Sequence, residues 1–299
     1  MTSHSISINR RPALEVLATG PLALIQDLGR PGHAALGVGC SGAADRRSFR
    51  LGARLLGQDC VAAVEVTFGG LAVRAHGEVL LALTGAPAPA MVDGTRVHQL
   101  APFVLSDGQT LRLATPLAGL RTYLSVRGGI DVPAVLGSRA TDVLSGLGPA
   151  PVKVGDLLPV GPLAPTPRQV DVVAVRSTAY GPIAVRALLG PRADWLADAS
   201  LLAAISWTVS SRSDRVGIRL EGQTLHRHES RSGQELLSEG VVRGSIQVPP
   251  DGQPVLFLAD HPVTGGYPVV AVLKDAYLDL AAQAVPGQRV WISLDAPTN

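Results

Sequence analysis

The side chains best equipped for chemistry crowd into one stretch, SEGVVRGSIQVPPDGQPVLFLADHPVTGGYP, at residues 238–268. Glu239 stands second in it, Gln247 follows, and Asp260, His261, Thr264, Gly265, Gly266 and Tyr267 come after the apolar run 255–258. Polar, turn-rich segments of this kind carry function more often than cores do. The Gly265-Gly266 pair would let backbone N–H groups approach a ligand closely, with the hydroxyls of Thr264 and Tyr267 beside them. Asp260 could orient the His261 ring for proton transfer; a satisfied loop histidine is the competing reading. Glu239, with Glu235 and Ser238 before the Gly240 turn, could accept an amide proton or hold magnesium, and could equally be solvated surface. Two tight hairpin turns in an all-β domain would use the same letters.

Other candidates are more scattered. Arg212, Arg215 and Arg219 fall in SRSDRVGIRL, where period-2 alternation puts Arg215 and Arg219 on one strand face, available to a carboxylate or phosphate. Asp214 offers them an internal partner instead. In QDLGRPGH, residues 26–33, Asp27, Arg30 and His33 form a secondary set. Residues 37–42, GVGCSG, fit G-x-G-x-x-G, but Pro31-Gly32 interrupts the strand that a dinucleotide site needs, so we read a glycine-rich turn opening a helix. His226 and His228 lie in a polar run that favours a solvated loop over a metal, and no metal site is expected.

Whole classes of function drop out on composition. The 299 residues carry net charge +2 with both signs interspersed, and no basic–aromatic alternation suggests a nucleic-acid groove. Lys153 and Lys274, the only lysines, are followed by Val154 and Asp275, so no phosphate loop of the G-x-x-x-x-G-K-[ST] type exists. Neither adjoins Met1 or Met91, so no biotin-attachment segment is present and no covalently held biotin is expected. There is no G-x-S-x-G elbow. Without a secretory h-region or an apolar run of ~20 residues, the chain reads as cytoplasmic and not membrane-bound. Cys40 and Cys60 suit a reducing compartment.

The elements that must position these residues are mostly short strands. Runs at 79–84, 103–105, 110–114 and 123–126, then 170–175, 206–210 and 255–258, alternate with Gly, Pro and Asp turns. The spacing predicts three helices: residues 43–56, capped by Ser41 and stopped by Gly57; one after Pro191, with Trp195, Ala199 and Leu202 on one face; and one from Asp275, ending before Pro286. Three prolines at 161–169 mark a boundary near Thr166, giving domains 1–165 and 166–299. Asp107-Gly108-Gln109 and Pro286-Gly287-Gln288 each precede a strand, a faint internal echo.

The segments SEGVV, IQVPPDGQP and TGGYP, together with QDLGRPGH, residues 41–57, residues 123–142 and residues 210–222, resemble the biotin-dependent carboxyltransferase family over nearly the whole chain, in its subdomain C and D portion. The resemblance implies a mainly β fold of two β-barrel-like, cyclophilin-like domains. It further implies the role of the C-type subunit in an ATP-dependent 5-oxoprolinase, a hetero-oligomer that uses ATP with magnesium and supplies B-type and A-type partner subunits. In that role Arg215 would clamp a substrate carboxylate, Gln247, Thr264, Gly265, Gly266 and Tyr267 would line the site, and His261 or Glu239 would move the proton. Two alternatives belong to the same family: carboxyl transfer to urea or another amide, as in allophanate hydrolase subunit 2, and a non-enzymatic antagonist of a kinase inhibitor.

Overall fold

The structure, a computed structural model, describes residues 11–163 and 181–295. Strands dominate. In the second half, Ile183–Leu189, Val269–Leu273, Ser245–Gln247, Val255–Phe257, Gly217–Glu221, Ser206–Val209 and Arg289–Asp295 close into a barrel in that order. The closure is a parallel pairing of Ile183–Leu189 with Arg289–Asp295, and every other pair in the ring is antiparallel. Alternation explains the inside: Ile183, Val185 and Ala187 are buried while Ala184 and Arg186 are exposed, the pattern a pleated strand gives when one face meets a core. Trp207, Val209, Ile218, Leu220, Ile246, Leu256, Val290 and Ile292 fill the same interior.

The first half encloses its core differently. A six-stranded sheet, ordered Leu157–Pro159, Ala13–Thr19, Leu71–His76, Thr110–Leu113, Ala90–Val92, Thr95–Val97, faces a five-stranded sheet, ordered Leu22–Gln26, Ala63–Thr67, Arg121–Val126, Val79–Gly85, Pro102–Leu105. Leu14, Val73 and Leu111 from one sheet and Ile25, Val64, Leu81 and Leu124 from the other share one core. Both sheets remain open, so this half is a sandwich beside a closed barrel.

Arg121–Val126 is buried at all six positions, which a strand with one wet face cannot be. Leu124 and Val126 face the sandwich core, while Tyr123 joins Phe49 of the first helix on the opposite face. That helix, α1 (Arg46–Leu55), is shorter than the sequence predicts, and its N-cap is Asp45, whose carboxylate accepts from Ser48 N at 2.9 Å. Ser41 does not cap it. The helix expected after Pro191 is broken into a 3-10 turn, Ala193–Trp195, and one turn, α2 (Leu201–Ala204); Trp195 and Leu202 are nevertheless buried. The third, α3 (Asp275–Ala281), forms as expected. The boundary near Thr166 and the strand at 170–175 lie outside the described residues.

Candidate active site

Alternation on two adjacent strands puts Glu65, Arg121 and Tyr123 on the face turned away from the sandwich core, with Tyr123 directly opposite Glu65. The barrel covers that face. Arg215, 2% exposed, lies just before a barrel strand and donates from Nη1 to Glu65 and from Nε to Asp260 Oδ2 at 2.9 Å. Its Nη2 donates to Gly42 O at 2.6 Å and to Asp260 Oδ1 at 3.1 Å. Tyr123 donates its hydroxyl proton to Glu65 Oε2 at 2.7 Å, and Ala44 N donates to the same oxygen at 3.0 Å. Gln283, from the barrel half, uses its whole amide: Oε1 accepts from Leu120 N and Arg121 N, and Nε2 donates to Asp45 Oδ2 and Arg121 O.

The electrostatics follow from that packing. Burial pushes the Glu65 carboxyl up, but Arg215 and Arg121 more than offset it, so Glu65 titrates below its ordinary range. Asp45 has no such cation beside it; burial prevails over its bonds to Gln283 and Ser48 and raises it. Burial alone would lower Arg215, yet Glu65 and Asp260 drive it further up, so it stays charged.

The signature loops hang from the same cluster. Asp260 is 1% exposed, and it accepts from Arg215, from Ser41 Oγ at 2.6 Å and from Val143 N at 3.0 Å. The next residue, His261, is half-buried, stacks on Phe257 with ring centroids 6.0 Å apart, and sets Nδ1 2.6 Å from Pro262 O. A carbonyl can only accept, so Nδ1 carries the proton and Nε2 is the free base. Burial holds the ring below its ordinary pKa.

Beyond it, Glu239 pairs with Gly265 and Gly240 with Thr264 in a two-stranded ladder. The buried Gln247 side chain supports this ladder, donating from Nε2 to Tyr267 O at 2.9 Å. A Cβ on Gly265 would lie 2.5 Å from that nitrogen, which explains glycine here. Gly266 and Thr264 are exposed, and Tyr267 is 45% exposed.

Several expected roles need correction. Arg215 cannot clamp a substrate carboxylate, because two internal carboxylates and a carbonyl already hold a side chain sealed from solvent. It also does not share a face with Arg219, which is exposed: the strand begins only at Gly217, so the assumed alternation does not reach Arg215. Asp260 does not orient His261, since its oxygens point to Arg215, Ser41 and Val143. Glu239 is not a free carboxylate: Arg192 grips it through Nε and Nη2, which lowers it below the ordinary range.

Asp27 is a loop organiser, accepting from Gly29 N, Ser138 Oγ and Arg139 N. Arg30 is buried against the carbonyls of Val135 and Ala140. His33 precedes the 3-10 turn Ala34–Leu36, and its side chain makes no cap bond.

Two clefts open elsewhere, and neither is lined by Glu239, Gln247, His261, Thr264, Gly265, Gly266 or Tyr267. One, of about 490 Å³, is lined by Arg11, Glu78, Val104, Arg127 and Leu163 among others; one of about 550 Å³ runs past His226, Arg227 and Glu229. His228 caps the turn Glu229–Arg231 through Ser230 N. Among the described residues no three His, Cys, Asp or Glu side chains group to hold a metal. Sequence reasoning missed Glu65, Arg121, Tyr123, Asp45 and Gln283. For Glu65, Arg121 and Tyr123 the available signal was polar letters inside otherwise apolar strands, AVEVT and RTYLSV, at positions that alternate away from the core; Asp45 and Gln283, outside those strands, had none.

Comparison with known proteins gives this geometry a context. The chain is 38% identical over 283 residues to the C-type subunit of 5-oxoprolinase from Escherichia coli, spanning 93% of this chain and 89% of that one. Urea amidolyase of Saccharomyces cerevisiae is 32% identical over 302 residues, but the chain spans only 16% of it. Among solved structures, urea carboxylase of Kluyveromyces lactis superposes with a TM-score of 0.87 at 28% identity, covering 96% of this chain and 28% of that one. No helix among the described residues is long and apolar enough to cross a membrane. Residues 36–293 match the family described as "Carboxyltransferase domain, subdomain A and B", where the sequence motifs suggested subdomains C and D, and the chain belongs to that carboxyltransferase-domain family.

Proposed function

We propose that this chain is the C-type component of a cytoplasmic, multi-subunit 5-oxoprolinase, which opens 5-oxoproline to glutamate while ATP is hydrolysed. The observation that carries the reading is coverage: the match spans 89% of the bacterial C-type subunit and only 16% of the urea amidolyase. A lactam is an unreactive amide, and phosphorylating its oxygen supplies a leaving group, so the enzyme must hold ring, carboxylate and phosphoryl donor together.

This chain's residues fit one part of that task. His261 would present a neutral Nε2 as the proton acceptor, and the exposed Thr264 and Tyr267, which follow it in the chain, would supply hydroxyls to the substrate. Magnesium and the ATP phosphates fit this chain poorly, because Glu239 is spent on Arg192 and Asp260 on Arg215. We therefore assign nucleotide binding to the B-type partner, with the A-type partner completing ring opening. The chain alone is expected to be inactive.

The test is co-expression with the neighbouring subunits, measuring ATP hydrolysis with and without 5-oxoproline. Hydrolysis that depends on 5-oxoproline supports the reading, and His261→Gln should then cut turnover by about 100-fold or more, the typical contribution of a general base. Urea-dependent consumption of carboxybiotin in its place would establish the carboxyl-transfer alternative.

A further inference from the structure

Arg30 stands apart from Arg121 and Arg215, the two buried arginines that meet Glu65. It is 1% exposed, and its partners among the described residues are backbone carbonyls: Ala140 O for Nη2, and Val135 O at 3.4 Å for Nε. Nη1 has none. A buried guanidinium without a counter-charge is costly unless an anion completes it.

Two further orphaned atoms belong to Gln26 and to Thr141, the residue after Ala140. Gln26 donates from Nε2 to Thr141 O at 2.8 Å, which leaves its Oε1 buried and unpartnered, and the Thr141 hydroxyl is in the same condition. Arg30 and Gln26 thus end on consecutive carbonyls with a donor and an acceptor to spare. The segment is tied to the signature loops, because Ser41 Oγ reaches both Thr141 O at 3.3 Å and Asp260 Oδ1 at 2.6 Å. Gly148 lets the loop 143–148 lie over the guanidinium, since a Cβ there would meet Ala140 O at 2.1 Å and Arg30 Nη2 at 3.0 Å.

We propose that Arg30, Gln26 and Thr141 form a binding site for a small carboxylate that also carries an N–H donor, entered beneath residues 143–148. The carboxylate takes Arg30 Nη1, the N–H takes Gln26 Oε1, and the Thr141 hydroxyl completes the set. Naming 5-oxoproline as that ligand rests on the function proposed above.

The experiment is the thermal midpoint of the full chain alone, with L-5-oxoproline, acetate, phosphate and bicarbonate compared at matched ionic strength. At tenfold over half-saturation, 5-oxoproline should raise the midpoint by about 2–4 °C. Thr141→Val should keep or exceed the wild-type midpoint without ligand, because it removes an unpaired buried hydroxyl, and should lose most of the shift. Arg30→Gln should lose all of it. No shift with any anion, or a full shift in both variants, overturns the site; a shift with phosphate or bicarbonate alone overturns the carboxylate assignment. Turnover of 5-oxoproline by the assembled complex without a shift in the chain sinks this site and leaves the proposed function standing. A shift without turnover does the reverse.

Discussion

The Arg215 cluster and the Glu239–Thr264 ladder both came forward as ligand-binding candidates, yet the fold treats them oppositely. Around Arg215 every strong charge is sealed and matched: two carboxylates, a carbonyl, a tyrosine hydroxyl and a complete glutamine amide join the sandwich to the barrel. At the ladder, glycines and hydroxyls stand at the surface on a two-residue pairing whose one ion pair is partly solvated. The contrast teaches that residue type nominates a site, while the dielectric around it assigns the role.

The sharpest way to break that contrast is Arg215→Met. Leaving Glu65 and Asp260 with an uncompensated buried charge should cost about 3–5 kcal/mol in urea unfolding. A loss below about 1 kcal/mol would mean that the cluster is not what joins the two halves. At the ladder, Gly265→Ala should cost less, about 1–2 kcal/mol, by forcing Gln247 off Tyr267 O. An unchanged urea midpoint there would show that the ladder is not anchored by Gln247.

The smallest effect belongs to His261, which lies between the two regions. Its folded pKa is depressed below the ordinary 6.5, so on acidification the unfolded chain takes up the proton first. Stability is therefore intact above pH 6.5 and falls as pH drops below it. His261→Gln should flatten that decline in melts taken through this range, and an identical slope in the variant would place the ring in solvent instead.

Much of the architecture was legible because strand periodicity is a local property. Runs such as residues 79–84 and 110–114 reappear as Val79–Gly85 and Thr110–Leu113, within a residue of their expected ends. The helix caps were less so. Ser41 and Asp45 both suit an N-cap, and the choice fell to Asp45 because Ser41 is held at φ 54 with its hydroxyl on Asp260, a partner 219 residues away. The expected helix after Pro191 broke because the burial of Trp195 and Leu202 could be met by two separate turns.

By itself the sequence determined a β-rich chain and ordered motifs that pick out a family. It did so because alternation, turn chemistry and motif spacing are written along the chain. Only the tertiary structure decided that Arg215 is a buried tie while Arg30 keeps an open donor, and that Glu65 and Tyr123 outrank Glu239 in the buried electrostatics. Those outcomes depend on which charges fold to within hydrogen-bond reach and how far water is excluded, and neither quantity is a property of any local stretch of residues.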